Sequence, residues 1–110
     1  MLNMVMSVAA SGLLRALLDR AGDQRNRTLL TDIHSVDWQS LTLSGERHSV
    51  TLRIPGPDAE RMVAGFIDGI EEAEFAIPGH NLADIAVAGT PARALDMSVT
   101  VEIEALTVLE

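Results

Sequence analysis

A helical period stands out between two proline–glycine corners, Ile54-Pro55-Gly56-Pro57 and Ile77-Pro78-Gly79. Between them Ala59, Met62, Val63, Phe66, Ile70 and Ala73 recur on one side, with Ile67 at its edge. Glu60, Arg61, Ala64, Asp68, Glu71 and Glu72 take the other side. An apolar stripe of that spacing predicts one amphipathic helix over residues 57–79 with its stripe against a core. A second helical run starts at Met6, with Ala10, Leu13, Leu14, Leu17, Leu18 and Ala21 together and Arg15 and Asp19 facing away. Gly22 is placed to stop it, and residues 23–27 read as a polar loop.

The rest of the chain alternates with the period of extended structure. Residues 28–54 predict a hairpin, and Ser44-Gly45-Glu46-Arg47 puts glycine at the first central position of a two-residue type II′ turn. That register pairs Leu43 with His48, Leu41 with Val50 and Trp38 with Arg53. One face then carries Leu41, Leu43, Val50, Leu52 and Ile54; the other carries Trp38, Ser40, Thr42, Thr51 and Arg53. Residues 29–36 either extend the first strand or form a short one of their own. Residues 82–88 predict a strand with Ile85 and Val87 on one face and Asp84 and Ala86 on the other. After a connection from Gly89-Thr90-Pro91 through Ala94, residues 98–109 predict the last strand. Val99, Val101 and Ile103 point inward; Leu106 and Val108 continue on the face of Glu102 and Glu104. A bulge or a contact between molecules would explain that change of phase.

The element order is α-β-β-α-β-β. Moving the last strand to the front turns it into β-α-β-β-α-β, so the expectation is an α+β, circularly permuted ferredoxin-like plait. Two helices cover one face of a four-stranded antiparallel sheet and leave the other open.

Length and charge narrow the classes. A chain of 110 residues fits a single domain over 1–110, with residues 1–22 as an N-terminal helix that could be loosely attached. Hydrophobic residues make up 47% and aromatic ones 3%, which gives material for an aliphatic core. The net charge of −8, with arginine as the only basic type besides histidine, opposes a phosphate-backbone partner and so nucleic acid. Arg15, Arg20, Arg25 and Arg27 read as a solvated helix end and loop. Without cysteine there is no disulfide framework, thiol nucleophile or zinc–thiolate site. The apolar start, residues 1–18, has no positive region before Arg15 and is short for a membrane span. Residues 7–11 would pass as a leader cleavage site. The expectation is a cytoplasmic chain without a membrane partner.

Candidate chemistry gathers on the open face. Trp38, Thr51, Arg53, Asp84, Glu102 and Glu104 share it, with His34 beside Trp38. Trp38 and Arg53, if adjacent, form a cation–π platform for a flat or anionic ligand. His34 would help orient that ligand, and Glu102 is the candidate base. Asp84, Glu102 and Glu104 read more simply as solvated carboxylates than as an acid–base pair or an oxygen cage. His34, His48 and His80 lack metal-ligand spacing. Gly65 and Gly69 suggest close approach of another element. No nucleophile elbow, phosphate loop or dinucleotide fingerprint is present, so no cofactor, metal site or catalytic residue is expected.

Two readings follow, from different classes. The first is a self-associating interaction or assembly domain without catalytic activity, a homo-oligomer and most simply a dimer. It rests on Trp38, Leu106 and Val108 as interface residues and on the apolar start. The second is a small-molecule binding protein or enzyme with its site at Trp38, Arg53, His34 and Glu102. The helix-strand-strand-helix-strand-strand order also resembles that of the periplasmic domains of type II secretion and type IV pilus assembly-platform proteins. That resemblance implies a component of an assembly platform. Proteins of that kind carry a membrane anchor, which is not expected here.

Overall fold

The structure is a computed structural model that describes residues 6–110. The apolar residues at positions 1–5, counted above toward self-association, lie outside it.

Helix α1 spans Val8–Ala21, close to the expected bounds, and both ends are explained locally. The Ser7 hydroxyl accepts from the Ala10 N–H at 3.0 Å, satisfying one of the free donors of the first turn. Gly22 follows the last turn as the stop. The helix is not loosely attached. Leu13 and Leu17 are fully buried, and each such side chain contributes about 1.5–3 kcal/mol on burial. A Cβ on Gly12 would come within 2.9 Å of Ile77, so α1 also lies tightly against the segment leading to the third strand.

Strand β1 (Leu29–Gln39) and strand β2 (Ser44–Ile54) pair antiparallel, so residues 29–36 belong to the first strand. The turn between them is at 40–43, not at Gly45-Glu46. Gln39 pairs with Ser44 and Trp38 with Gly45. The Ser40 N–H bonds the Leu43 carbonyl at 2.9 Å, and the Leu43 N–H bonds the Ser40 hydroxyl at 3.1 Å. Moving the turn this way lets all of β1 pair, which a turn at Gly45 forbids. Leu41 is therefore fully exposed at a loop tip and Leu43 half-exposed, instead of both facing the core. Gly45 serves a different purpose: a Cβ there would lie 2.0 Å from the Thr107 carbonyl oxygen. Glycine inside a strand here marks a close backbone approach.

Helix α2 spans Ala59–Ile67 and is shorter than its apolar period suggests. Gly69 adopts φ +70°, a left-handed conformation that ends the regular helix, and Ile70–Glu72 continues as one 3-10 turn. Phe66 and Ile70 remain buried, so the stripe reaches the core although the helix does not persist. Arg20 closes the end of α2 from α1. Its Nε donates to the Phe66 carbonyl at 2.7 Å, its Nη2 donates to the Asp68 carbonyl at 2.6 Å, and its guanidinium lies 5.9 Å from the Phe66 ring. Arg27 is a clasp as well, donating to the Pro55 carbonyl at 2.7 Å and to Asp58 at 2.9 Å. Two of the four arginines taken as solvated thus hold chain segments together.

Strand β3 (His80–Val87) and strand β5 (Val99–Leu109) complete the long strands, and the two-residue strand β4 (Ala92–Arg93) adds a fifth where four were expected. The order is β1-β2-β5-β3, with β4 continuing beside β5, and all pairs are antiparallel. The last strand lies in the middle, where a plait with its first strand moved to the end must place it. Leu13, Leu17, Val63 and Phe66 from the helices meet Val50, Leu52, Ile54, Val99, Val101 and Ile103 from the sheet in one core. The fold is α+β, with two helices on one face of an open antiparallel sheet.

Candidate functional site on the open sheet face

The registers assign every residue of the open face. Across it run His34–Ser49–Glu104–Ala86 and, one row on, Val36–Arg47–Leu106–Asp84. A third row is Trp38–Gly45–Val108–Asn81. Thr51, Arg53 and Glu102 lie on the same face toward the other end. The face membership expected for Trp38, His34, Thr51, Arg53, Asp84, Glu102 and Glu104 is therefore observed.

Their grouping is different. Trp38 pairs with Gly45, and Arg53 pairs with Leu29 at the far end of the same hairpin. Eight residues of strand separate the two positions on β2, about 26 Å at 3.3 Å per residue. They make no platform. Arg53 donates instead to Ser98 at 3.1 Å and to Asp96 at 2.5 Å, fixing the turn between β4 and β5. The Ser98 hydroxyl and N–H also donate to Asp96, and with Arg53 they hold its carboxyl below the usual carboxylate range. Glu102 accepts from the Ser49 hydroxyl at 2.7 Å. His34 is exposed on the same face but two rows from Trp38, with the Val36 row between them.

Leu106 and Val108 do lie on the face of the glutamates, yet they are only 8% and 7% exposed. They have little surface left to give an interface. For Val108 the row geometry gives a reason, since Gly45 leaves an empty position between it and the half-buried Trp38; Leu106 lies between the long Arg47 side chain and Asp84. The change of phase at Ala105-Leu106 thus forms a small second apolar layer on the open face. Exposed apolar surface comes instead from Val36 and Leu29 on β1, at 48% and 46%.

A shallow cavity of about 250 Å³ lies mid-face, lined by His34, Val36, Arg47, Ser49, Asp84 and Glu104, among others. Arg47 and His34 stand on the β1–β2 side and the carboxylates of Asp84 and Glu104 on the β5–β3 side. Arg47 and Ser49 were missed in the sequence because their neighbours depend on the correct register.

Behind this face His48 links three strands. Its Nδ1 is 2.7 Å from the Ser35 hydroxyl and its Nε2 is 2.8 Å from the Thr107 hydroxyl. Burial pushes its imidazole below the ordinary histidine value, partly opposed by Glu46. A turn at Gly45-Glu46 would leave His48 near the end of the hairpin; with the turn at 40–43 it lies buried inside the sheet. His80 accepts no such role; its Nδ1 is 2.9 Å from the Pro78 carbonyl oxygen. Gly65 and Gly69 have nothing within 4 Å of a would-be Cβ, so no element approaches them closely. Among the described residues no group of acidic, histidine or cysteine side chains has the geometry of a metal site. Among them, no helix is long and apolar enough to cross a membrane.

No protein-family model and no curated protein matches the chain. Among solved structures it is similar to the type 4 fimbrial biogenesis protein PilO from Pseudomonas aeruginosa, with 12% identity and a TM-score of 0.46. The match covers 89% of this chain and 64% of that one, so this chain spans less than two thirds of its length. A likeness of that size assigns neither a family nor a role.

Proposed function

We propose that this chain is a self-associating interaction and assembly domain without catalytic activity of its own. The observation that carries the reading is the one-sided sheet. Helices cover one face, while the other presents Leu29, Val36 and Trp38 among polar and charged side chains, and among the described residues no element covers it. Surface of that kind on a small domain is commonly used for association. Two polar groups of this face, Ser49 and Arg53, are already engaged, with Glu102 and Asp96. Light scattering from micromolar to near-millimolar concentration tests it. The expected result is a species of twice 11.8 kDa that grows with concentration. A constant 11.8 kDa over the whole range would overturn it.

An alternative to this reading, a component of a secretion or pilus assembly platform in which the open surface meets a different protein, is supported by the α-β-β-α-β-β order alone.

A second reading follows from the mid-face cavity. Its size suits a small polar ligand, held by Arg47 and His34 at one side and by Asp84 and Glu104 at the other. Titration with β-alanine, whose carboxylate suits Arg47 and whose ammonium suits Asp84 and Glu104, followed by NMR at the Arg47 and Glu104 side chains, tests this site. Saturable shifts at both would support it, and their absence would remove it.

A further inference from the structure

The two edges of the sheet are built differently, and the difference identifies a pairing surface. One edge is β3 followed by β4. Its register shifts between Leu82 and Asp84, it stops at Val87, and Gly89 and Pro91 precede a strand of only two residues. Bulges, prolines and short strands are the ordinary means by which an edge is kept from recruiting another strand. The other edge is β1, which spans 11 residues and has neither glycine, proline nor lysine. Its one register shift lies near the start, between Leu30 and Asp32, and the ladder runs unbroken from Asp32 to Gln39. Among the described residues no strand lies on its other side.

The free backbone groups on that edge can be named. In an antiparallel ladder, bonded and non-bonded pairs alternate. The Ser40 N–H to Leu43 carbonyl bond sets the alternation from the turn, so Trp38, Val36 and His34 bond toward β2. The Ala88 N–H to Glu102 carbonyl bond, carried across β5 by the registers, gives the same phase independently. Ile33, Ser35, Asp37 and Gln39 therefore direct their N–H and C=O groups outward.

We infer that β1 is a homotypic edge, pairing antiparallel with β1 of a second copy about a two-fold axis at Ser35. This rests on the self-association reading and places the contact at the β1 edge, beside the open face. With the axis at Ser35, outward-directed residues meet outward-directed residues. Ser35 faces Ser35 of the second copy, and Ile33 faces its Asp37. On the open face His34 comes beside Val36 and Asp32 beside Trp38. No two carboxylates are opposed. An axis at Asp37 would set the two Asp37 side chains opposite each other, which is unfavourable. The product is a continuous sheet through both copies, an isologous contact that closes and does not propagate. The half-exposed Val36 is covered in the same step.

Asp37→Pro tests the edge selectively. Proline is tolerated on an edge where its missing N–H would face solvent, and here that N–H is one of the pairing donors. Val36→Pro is the contrast, since it removes a bond within the β1–β2 ladder and should destabilise the fold. Light scattering, far-UV circular dichroism and amide exchange are read together. The expected result is a dimeric wild type with slow exchange at Ile33, Ser35 and Asp37, and a folded Asp37→Pro chain whose dimerisation is weaker by more than about tenfold. A dimer that persists in Asp37→Pro, with those three amides exchanging freely in the wild type, overturns the edge and leaves self-association standing. A wild type that is monomeric throughout overturns both. If Asp37→Pro does not fold, the wild-type amides decide: protection that appears with concentration supports the edge, and unchanged fast exchange sinks it.

Discussion

The β1 edge and the β3–β4 edge flank the same sheet and share the same core, yet they reach their ends by opposite means. On β3, chain irregularity does the work: a register shift, then Gly89 and Pro91, then two residues of strand beside β5. On β1 the ladder is regular, and the residues that could have interrupted it have been placed elsewhere. The glycine nearest the hairpin, Gly45, sits inside β2 against the Thr107 backbone. An edge is thus a property of where breakers fall, not of how many a chain contains. This chain has eight glycines and four prolines, and none lies in β1.

The strongest way to break the contrast is to remove the support of β1 from beneath. Gly45→Val places a branched side chain where the Thr107 carbonyl would be 2.0 Å from its Cβ. Backbone cannot yield as a flexible side chain does, so β2 must move away from β5 and carry β1 with it. The expected loss is about 3 kcal/mol, at the upper end of overpacking effects. Urea unfolding measures it. A loss below about 1 kcal/mol would show that β2 and β5 are not in the close approach described.

A smaller effect is expected at His48, which ties β1 to β5 through Ser35 and Thr107. His48→Leu leaves both hydroxyls without that partner on the buried side, at a cost of about 1–3 kcal/mol. The wild type also carries a pH signature. Because burial holds the folded imidazole below the ordinary value of 6.5, the unfolded chain binds the proton more readily. Stability is then fully present above about 6.5, and it declines as pH falls from there toward the depressed folded value. His48→Leu should flatten this decline, measured by urea titrations across that window. An equal decline in both proteins would assign it to other groups.

These residues also show what the sequence discloses and what it hides. Periodicity placed both helices, because burial leaves a stripe that survives errors at the ends. Gly69 ended α2 early without disturbing the stripe, since Ile70 follows on the same side in a 3-10 turn. The observed hairpin register differs from the expected one because Gly45, a turn residue by type, is needed for close approach to the Thr107 backbone. The displacement moved the partner of Trp38 by eight positions, from Arg53 to Gly45. Eight is even, so every strand residue kept its face and only its neighbours changed. That is why the open face was legible while the Trp38–Arg53 pair, the cavity at Arg47 and the buried setting of His48 were not. Burial of Leu106 and Val108 was hidden for a related reason, since it depends on which β2 residues, Arg47 and Gly45, lie beside them.

The finest test concerns the turn that holds the short β4 against β5. Met97 has φ +71°, a left-handed conformation that a non-glycine residue adopts at a cost of about 1–2 kcal/mol. Asp96 makes it tolerable by accepting from Ser98 and Arg53, and the Ala94 N–H bonds the Ser98 carbonyl at 2.9 Å across the turn. Met97→Gly removes the strain but gives the unfolded chain more freedom to lose, about 0.5–1 kcal/mol. Because Met97 is 42% exposed, little packing is lost with the side chain. The net expectation is a stabilisation of up to about 1 kcal/mol, with no change in the oligomeric state, because this edge is closed to pairing. A destabilised Met97→Gly chain would mean that the thioether, not the Asp96 bonds, holds the turn. A change in association would mean that the β4 edge is open after all, and the asymmetry between the two edges would then have to be given up.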